Sequence, residues 1–433
     1  MTIKSHEQDR DAAVGNPIAV LVILLAAYVL NYLDRQIVSI LAVPIKAELD
    51  LSDTQLGLLG GLAFGLLYTA FGIPIAWLAD RRRRSTIIAL AVSTWSFFTA
   101  TCGLAQNFIQ LFLCRMGVGI GEAGGVAPSY SLIADYFDQS RRARAFAFFS
   151  FGIPLGSALG IFVGGWIAIN VDWRMAFLAV GLIGLPIALL VKVLVKDPKR
   201  GGSDLADDFA RQPSVSFRKS IATLIGMKSF WLISLGTAAS AISTYGLLFW
   251  IPSYLKRSLD LGMSGVTNFY GCAILLGGVI GTWGGGWLGD RFGGRGPGAY
   301  PFIVGLAFLF AAPFYWAALS ASGLIFVFAS LVCAIALSFA WAGPTLTALL
   351  QIVDPSMRTT ASACFMFISN LFGLTIGATS IGILSDTLAP LYGEGALRIG
   401  MLVGSTFYLV AAMLFLFCAR SIRGDWRGQA HLQ

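Results

Sequence analysis

The sequence predicts an all-α membrane protein of twelve transmembrane helices arranged as two six-helix bundles. Three observations predict it. Apolar runs of roughly 20 residues, the length that crosses a bilayer, recur twelve times along the chain. The longest polar stretch, 197–228, divides them six and six. A short pattern also recurs at matching places in the two halves. Ala76-Trp77-Leu78-Ala79-Asp80-Arg81 ends the second run, and Gly286-Trp287-Leu288-Gly289-Asp290-Arg291 ends the eighth, 210 residues later.

Composition excludes most other classes. The chain is 57% hydrophobic and 12% charged, with a mean hydropathy of +0.77, whereas a soluble domain carries about 25% charged residues. Six cysteines lie in apolar stretches and none forms a C-x-x-C pair, so they read as small buried hydrophobes. The only histidines, His6 and His431, sit at the two ends. That removes a histidine metal site and a histidine proton relay within the membrane, and no metal is expected. Gly119-x-Gly121-x-x-Gly124 fits a dinucleotide fingerprint, but it lies in a membrane span with no strand before it. No Walker motif and no Ser-His-Asp or Cys-His set occurs, so neither ATP-driven transport nor an enzyme is expected. The rings of like charge or filter loops of a channel are also missing.

In chain order, residues 1–16 have mixed charge and no cleavage pattern. The first run outlasts a signal h-region and contains Asp34, so it reads as a retained helix. The spans are 18–44, 55–78, 85–104, 107–134, 145–168 and 174–196, then 229–254, 266–288, 300–320, 322–350, 359–384 and 396–419. The domains follow: a cytoplasmic segment 1–16, an N-terminal bundle 17–196, a cytoplasmic linker 197–228, a C-terminal bundle 229–419 and a cytoplasmic tail 420–433. Within the linker, Val215 to Met227 reads as a short amphipathic helix on the membrane surface.

Charge placement orients the chain. With the N-terminus inside, 23 of the 30 Lys and Arg fall on the inner side and five on the outer. This obeys the positive-inside rule and puts both termini in the cytoplasm. The net charge of +8 is therefore a topology signal, and no nucleic-acid partner is expected. Duplicated six-helix halves about an axis along the membrane normal are a transporter pattern, with the site at the repeat interface.

The two remaining basic residues lie in the spans. Asp34 and Arg35 are deep in the first span, and Arg115 and Glu122 are in the fourth. Asp34 lies about 15 Å below the outer end of its span, with Arg115 about 12 Å and Glu122 about 22 Å down theirs. Each charge costs about 2.5–3.5 kcal/mol on insertion scales. Adjacent helix residues do not face each other, so Asp34 and Arg35 should find partners on the fourth span. Salt bridges that merely hold the half together are the plain reading. Confinement of all four charges to one half favours function. With no histidine, Asp34 and Glu122 are the expected proton-coupling residues. An acid whose Arg partner leaves changes its proton affinity. Arg35 and Arg115 suit an anionic headgroup by bidentate donation, with Asn31 and Tyr32 beside them. The second half has no charge in its span interiors and offers Tyr245, Phe367 and Asn370 among its aromatics and amides. Charges on one wall and aromatics on the other suit a small amphiphile.

These residues resemble the major facilitator superfamily. The loop signature G-x-L-x-D-R-x-G-x-R is matched by Gly286, Leu288, Asp290, Arg291, Gly293 and Arg295; in the first half Ala76 and Arg83 replace its glycines. The resemblance implies a conformational latch of Asp80, Arg81, Arg84, Asp290, Arg291 and Arg295. Gly156-x-x-x-Gly160-Ile161-x-x-Gly164-Gly165 partly resembles the antiporter motif, with close glycine helix packing as the plainer reading. A closer resemblance, to the spinster family, rests on Asn31 to Arg35, Leu51-Ser52-Asp53-Thr54-Gln55-Leu56-Gly57, Arg115-Met116-Gly117-Val118-Gly119-Ile120-Gly121-Glu122-Ala123-Gly124 and Ser131 to Phe137. Organic-anion symporters share N-Y-L-D-R, so the fourth-span stretch is the specific part. The spinster resemblance implies a lysophospholipid or sphingoid phosphate substrate. The expectation is a monomeric secondary transporter in a bacterial inner membrane, working by alternating access on the proton gradient. A proton-coupled symporter of small organic anions is the alternative, and a lipid-binding receptor without transport the third.

Overall fold

The computed structural model describes residues 16–198, 217–354 and 357–425. Of the expected segments, 1–15 of the N-terminus, 199–216 of the linker and 426–433 of the tail lie outside the described residues. Among the described residues there is no strand, and the chain runs as helices. The first span is α1 (Pro17–Leu49) and the second is α2 (Asp53–Gly60) with α3 (Leu62–Ala79). The third is α4 (Arg84–Cys102), and the fourth is α5 (Phe108–Glu122) with α6 (Val126–Tyr136). The fifth is α7 (Gln139–Ser150) with α8 (Gly152–Asn170), and the sixth is α9 (Trp173–Leu194). The linker ends in α10 (Phe217–Gly226). Then come α11 (Lys228–Ser258), α12 (Met263–Phe292), α13 (Ala299–Ser320), α14 (Leu324–Phe339) with α15 (Ala342–Ile352), α16 (Arg358–Tyr392), and α17 (Ala396–Ser405) with α18 (Phe407–Ser421).

Ten helical stretches among the described residues are long and apolar enough to cross a membrane. The last of them, Thr360–Gly424, is 65 residues long and contains spans eleven and twelve. The fourth span is not among the ten: three residues, 123–125, separate α5 and α6, and neither reaches 18 residues.

Side chains at the ends explain where helices start. Asn107 accepts from the Gln110 amide at 3.0 Å and Asp172 from that of Met175 at 2.8 Å, each satisfying an orphan donor of the first turn. Ser52 and Gln55 form a reciprocal capping box at the start of α2. Three interruptions of the expected spans have a shared feature. The α5–α6 gap includes Gly124, α7 ends at Ser150 and the α14–α15 gap includes Ala340. These residues are four before Pro128, Pro154 and Pro344, so their carbonyls have no N–H to receive. Proline is tolerated elsewhere: Pro44, Pro74, Pro186, Pro252 and Pro313 stay inside continuous helices. The interruption at Thr406 has the Thr406 and Ser405 hydroxyls turned back onto the Val403 and Leu402 carbonyls, a habit that bends helices.

The chain forms two compact units. The described residues of one fall within Met1–Leu41 and Leu66–Gln212, and those of the other within Ala42–Gly65 and Pro213–Gln433. In the first, glycines let helices touch at the backbone. A Cβ on Gly160 would lie 2.6 Å from the Leu33 carbonyl oxygen, one on Gly121 2.5 Å from the Trp95 amide nitrogen, and one on Gly181 2.5 Å from the Ala100 nitrogen. The glycines of the fifth span therefore serve close packing, here of α8 against α1 beside Asp34.

In the second unit, Gly57, Gly61 and Gly65 recur every four residues and seat the start of the second span on α16. A Cβ on Gly57 would lie 2.6 Å from the Ala378 oxygen and one on Gly65 2.6 Å from Leu374 Cβ. Hydroxyl and indole hydrogen bonds run through the core of this unit. Thr244 and the Tyr408 hydroxyl are 2.9 Å apart, Ser243 donates to the Gly404 carbonyl at 2.8 Å, and the Trp316 indole donates to Ser405 at 2.7 Å. Tyr408 stacks on Tyr315 with ring centroids 5.6 Å apart.

Candidate substrate and proton site

The four charges, three of them fully buried, meet as two pairs between α1 and α5. Arg35 Nε donates to Glu122 Oε2 at 2.7 Å, and Arg115 Nη1 lies 3.7 Å from Asp34 Oδ1. Asp34, Arg115 and Glu122 are each 2% exposed or less. Thr99 of α4 donates its hydroxyl to the other oxygen of Asp34. The Arg35 guanidinium also lies 4.7 Å from the Tyr68 ring centroid and 5.0 Å from that of Tyr32, a cation–π arrangement. Tyr32 in turn meets Tyr28 edge to face at 5.2 Å. Each acid thus faces one base within the membrane-spanning part of one unit, with an aromatic cradle around Arg35. Asn31 is buried one turn before Arg35, at 2% exposure.

Sequence reasoning found these four charges from their type and depth. It missed Thr99 and Tyr68, because a lone hydroxyl or ring in an apolar span carries no pattern.

The other expected substrate residues lie in the second unit. Tyr245 sits on α11 against Gly373 and Gly377 of α16, while Phe367 and Asn370 sit on α16 and are half-buried. Neighbouring aromatics belong to packing: Trp250 donates to the Ala378 carbonyl at 2.9 Å and Tyr270 to that of Leu248 at 2.9 Å.

Of the expected latch residues, Asp80, Arg81, Asp290, Arg291 and Arg295 are exposed. Arg81 stacks 3.8 Å above the Trp77 ring centroid and Arg295 lies 4.5 Å from that of Phe292. Arg84 differs: it is 3% exposed. It pairs with Asp135, donates to Ser131 Oγ at 2.9 Å and reaches Asp197 at 3.4 Å. Asp197 accepts from the backbone amides of Arg84 and Ser85 at 2.9 and 3.2 Å, so a linker carboxylate occupies the helix start. Arg83, which replaces a signature glycine, has φ −67° and ψ 117°, a conformation open to any residue. Gly293 in the second copy lies against the Tyr300 ring, where a side chain has no room.

A second charge cluster was not singled out from the sequence. Asp53, 4% exposed, accepts from Arg257 Nη1 and Nη2 at 2.7 and 2.8 Å, from Ser385 Oγ at 2.6 Å and from Lys46. The Asp386 carboxylate accepts from the backbone amides of Asp53 and Thr54 at 3.0 and 2.7 Å. The readable signal was Ser52 followed by Asp53 and Gln55, a helix start with an acid in its first turn.

The chain belongs to the Major Facilitator Superfamily, whose family model matches residues 24–378. It is an integral membrane transporter, not an enzyme. It is 32% identical over 406 residues to an MFS-type efflux pump of Mycolicibacterium smegmatis, covering 92% of this chain and 91% of that one. It is 28% identical over 447 residues to protein spinster homolog 1 of Homo sapiens, covering 97% and 84%. A crystal structure of a bacterial homologue of the human lysosomal transporter spinster, inward-facing and unoccupied, superposes with a TM-score of 0.84. That structure is 29% identical and covers 95% of this chain and 98% of its own.

Proposed function

We propose that this transporter moves a lysophospholipid or sphingoid phosphate type of amphiphile by alternating access, coupled to protons. The observation that carries the reading is the paired layer Asp34–Arg115 and Arg35–Glu122 within one unit. Glu122 and Asp34 are the proton carriers. Arg35 and Arg115 take the headgroup when their acids are protonated, because an Arg fork fits phosphate or carboxylate in two bonds. Tyr245, Phe367 and Asn370 contact the rest of the substrate. Its similarity to spinster proteins supports the lipid class. The protein works as a monomer in a bacterial inner membrane with both termini in the cytoplasm, without a cofactor. The exposed Asp80, Arg81, Asp290, Arg291 and Arg295 form the latch.

The test is proton movement in sealed proteoliposomes holding a pH-sensitive dye, with Glu122→Gln beside the unsubstituted protein. Proton flux on adding lysophospholipids or sphingoid phosphates, lost in the variant, is the expected result. Flux with small organic acids instead would establish the symporter. Lipid movement equal in both proteins, without protons, would remove coupling. Lipid binding with no movement would make the chain a receptor.

A further inference from the structure

One helical turn from Arg35 on α1 is a buried amide with nothing to bind. Both the oxygen and the nitrogen of the Asn31 carboxamide lack hydrogen-bond partners among the described residues. The indole nitrogen of Trp95 on α4, also 2% exposed, shares this condition. Buried polar groups are nearly always paired, with protein or with ordered water. Both residues line one small cavity, together with Tyr28, Gly125, Ser129 and Phe149.

The cavity leaves about 10 Å³ for the centre of a water molecule, so a single water fits. Phe149 stacks on Tyr28 with centroids 4.3 Å apart, so that part of the wall is closed. Ser129 donates its hydroxyl to the Gly125 carbonyl at 2.7 Å, which leaves its oxygen able to accept. A water here can accept from Trp95 Nε1 and donate to Asn31 Oδ1 and Ser129 Oγ, which leaves its second lone pair open to a carboxylic O–H. Three bonds is the usual number for a buried water. No charged side chain lines the space, which disfavours an ion, and its size excludes anything larger.

The cavity wall continues into the main chain beside Glu122. Gly125 lies one turn beyond Glu122, across the α5–α6 interruption, and donates its amide to the Glu122 carbonyl at 3.1 Å. Gly121 presses on the backbone of Trp95. Arg35 binds one carboxylate oxygen of Glu122, while the other, Oε1, is buried and meets no hydrogen-bond partner among the described residues.

We propose that the Asn31–Trp95 cavity is a hydration site for one ordered water, and that this water carries protons to and from Glu122. The second part rests on Glu122 being a proton carrier. In the release step the carboxyl O–H breaks, its proton joins the water oxygen, and a proton from that water passes to bulk water. The site water is left unchanged.

The test follows the carboxylic C=O band that disappears in Glu122→Gln, by infrared spectroscopy after transfer of the purified protein to D₂O. Asn31→Leu and Trp95→Phe should each slow its hydrogen–deuterium exchange by roughly tenfold, as for a lost step of about 1.4 kcal/mol. Exchange at the original rate in both variants overturns the route. Failure of Asn31→Leu to fold leaves Trp95→Phe, which removes the indole N–H together with one ring. An experimental structure of the unsubstituted protein that shows ordered waters decides the site itself. Density within about 3.2 Å of Trp95 Nε1 and of Asn31 supports it, and an empty cavity overturns it. If no band is lost in Glu122→Gln, the proton role of Glu122 fails and the route with it, while the density still decides the hydration site.

Discussion

Arg257 holds Asp53 with both terminal nitrogens, at 2.7 and 2.8 Å, 204 residues away in sequence. Lys46 and Ser385 complete the shell of this buried carboxylate. Asp53→Asn leaves two cations facing an amide. Removing one partner of a buried pair costs about 3–5 kcal/mol; solvent reaches Arg257 and Lys46, so we expect about 1–3 kcal/mol here. Thermal melting in detergent should show a clear drop for Asp53→Asn. An unchanged Tm would mean that these contacts add nothing to stability.

Arg35 is held by geometry as well as charge. Its Nε bonds Glu122, and its plane lies near Tyr68 and Tyr32. Lysine keeps the charge and loses the fork and the stacking. Arg35→Lys should lower substrate-driven flux at least about tenfold, the effect of about 1.4 kcal/mol, with expression and melting preserved. Flux within twofold of the unsubstituted protein would show that charge alone suffices.

Thr99 tests the Asp34 side of the layer. Thr99→Val keeps the shape and removes the hydroxyl that Asp34 accepts. Hydrogen bonds to charged groups are worth about 1.5–3 kcal/mol. Flux should fall in Thr99→Val and return in Thr99→Ser, which restores the donor. A fall of equal size in both variants would assign the loss to packing.

Gly121 sets the distance between α5 and α4 beside Glu122. Its added Cβ would lie 2.5 Å from the Trp95 nitrogen, whereas one on Gly284 meets nothing within 4 Å. Gly121→Ala should destabilise by about 1–3 kcal/mol through overpacking, and Gly284→Ala should be neutral. Equal melting temperatures for the two variants would contradict the close approach.

The spans and the charged layer were legible because each is a local or compositional signal. A run of apolar residues declares a helix, and Asp34, Arg35, Arg115 and Glu122 stand out because a bilayer penalises them. Even the pairing of first and fourth spans followed from depth. The Asp53 cluster was not legible in this way. Lys46 and Arg257 sit at helix ends, where a basic residue also serves as a plain topology marker, and nothing local links them to an acid 204 residues from one of them. Arg84 shows the opposite failure. It adjoins the exposed signature loop, whose last Arg position is Ser85 here, yet Asp135 and Asp197 draw it into the protein. The hydroxyl network of Thr244 and Tyr408 left no trace at all, since a hydroxyl within an apolar span carries no pattern of its own.

With Asp34, Arg35, Arg115 and Glu122 all ionised, the buried layer carries no net charge. A carrier that resets in this state moves nothing through the transmembrane voltage. One that crosses the whole field with a proton on Glu122 moves one elementary charge, worth about 2.3 kcal/mol per 100 mV. A singly charged anionic cargo bound with that proton would cancel it and make the cycle electroneutral. The balance of two acids against two bases therefore leaves the electrogenicity of transport to the cargo, and current recorded with substrates of different valence would report it directly.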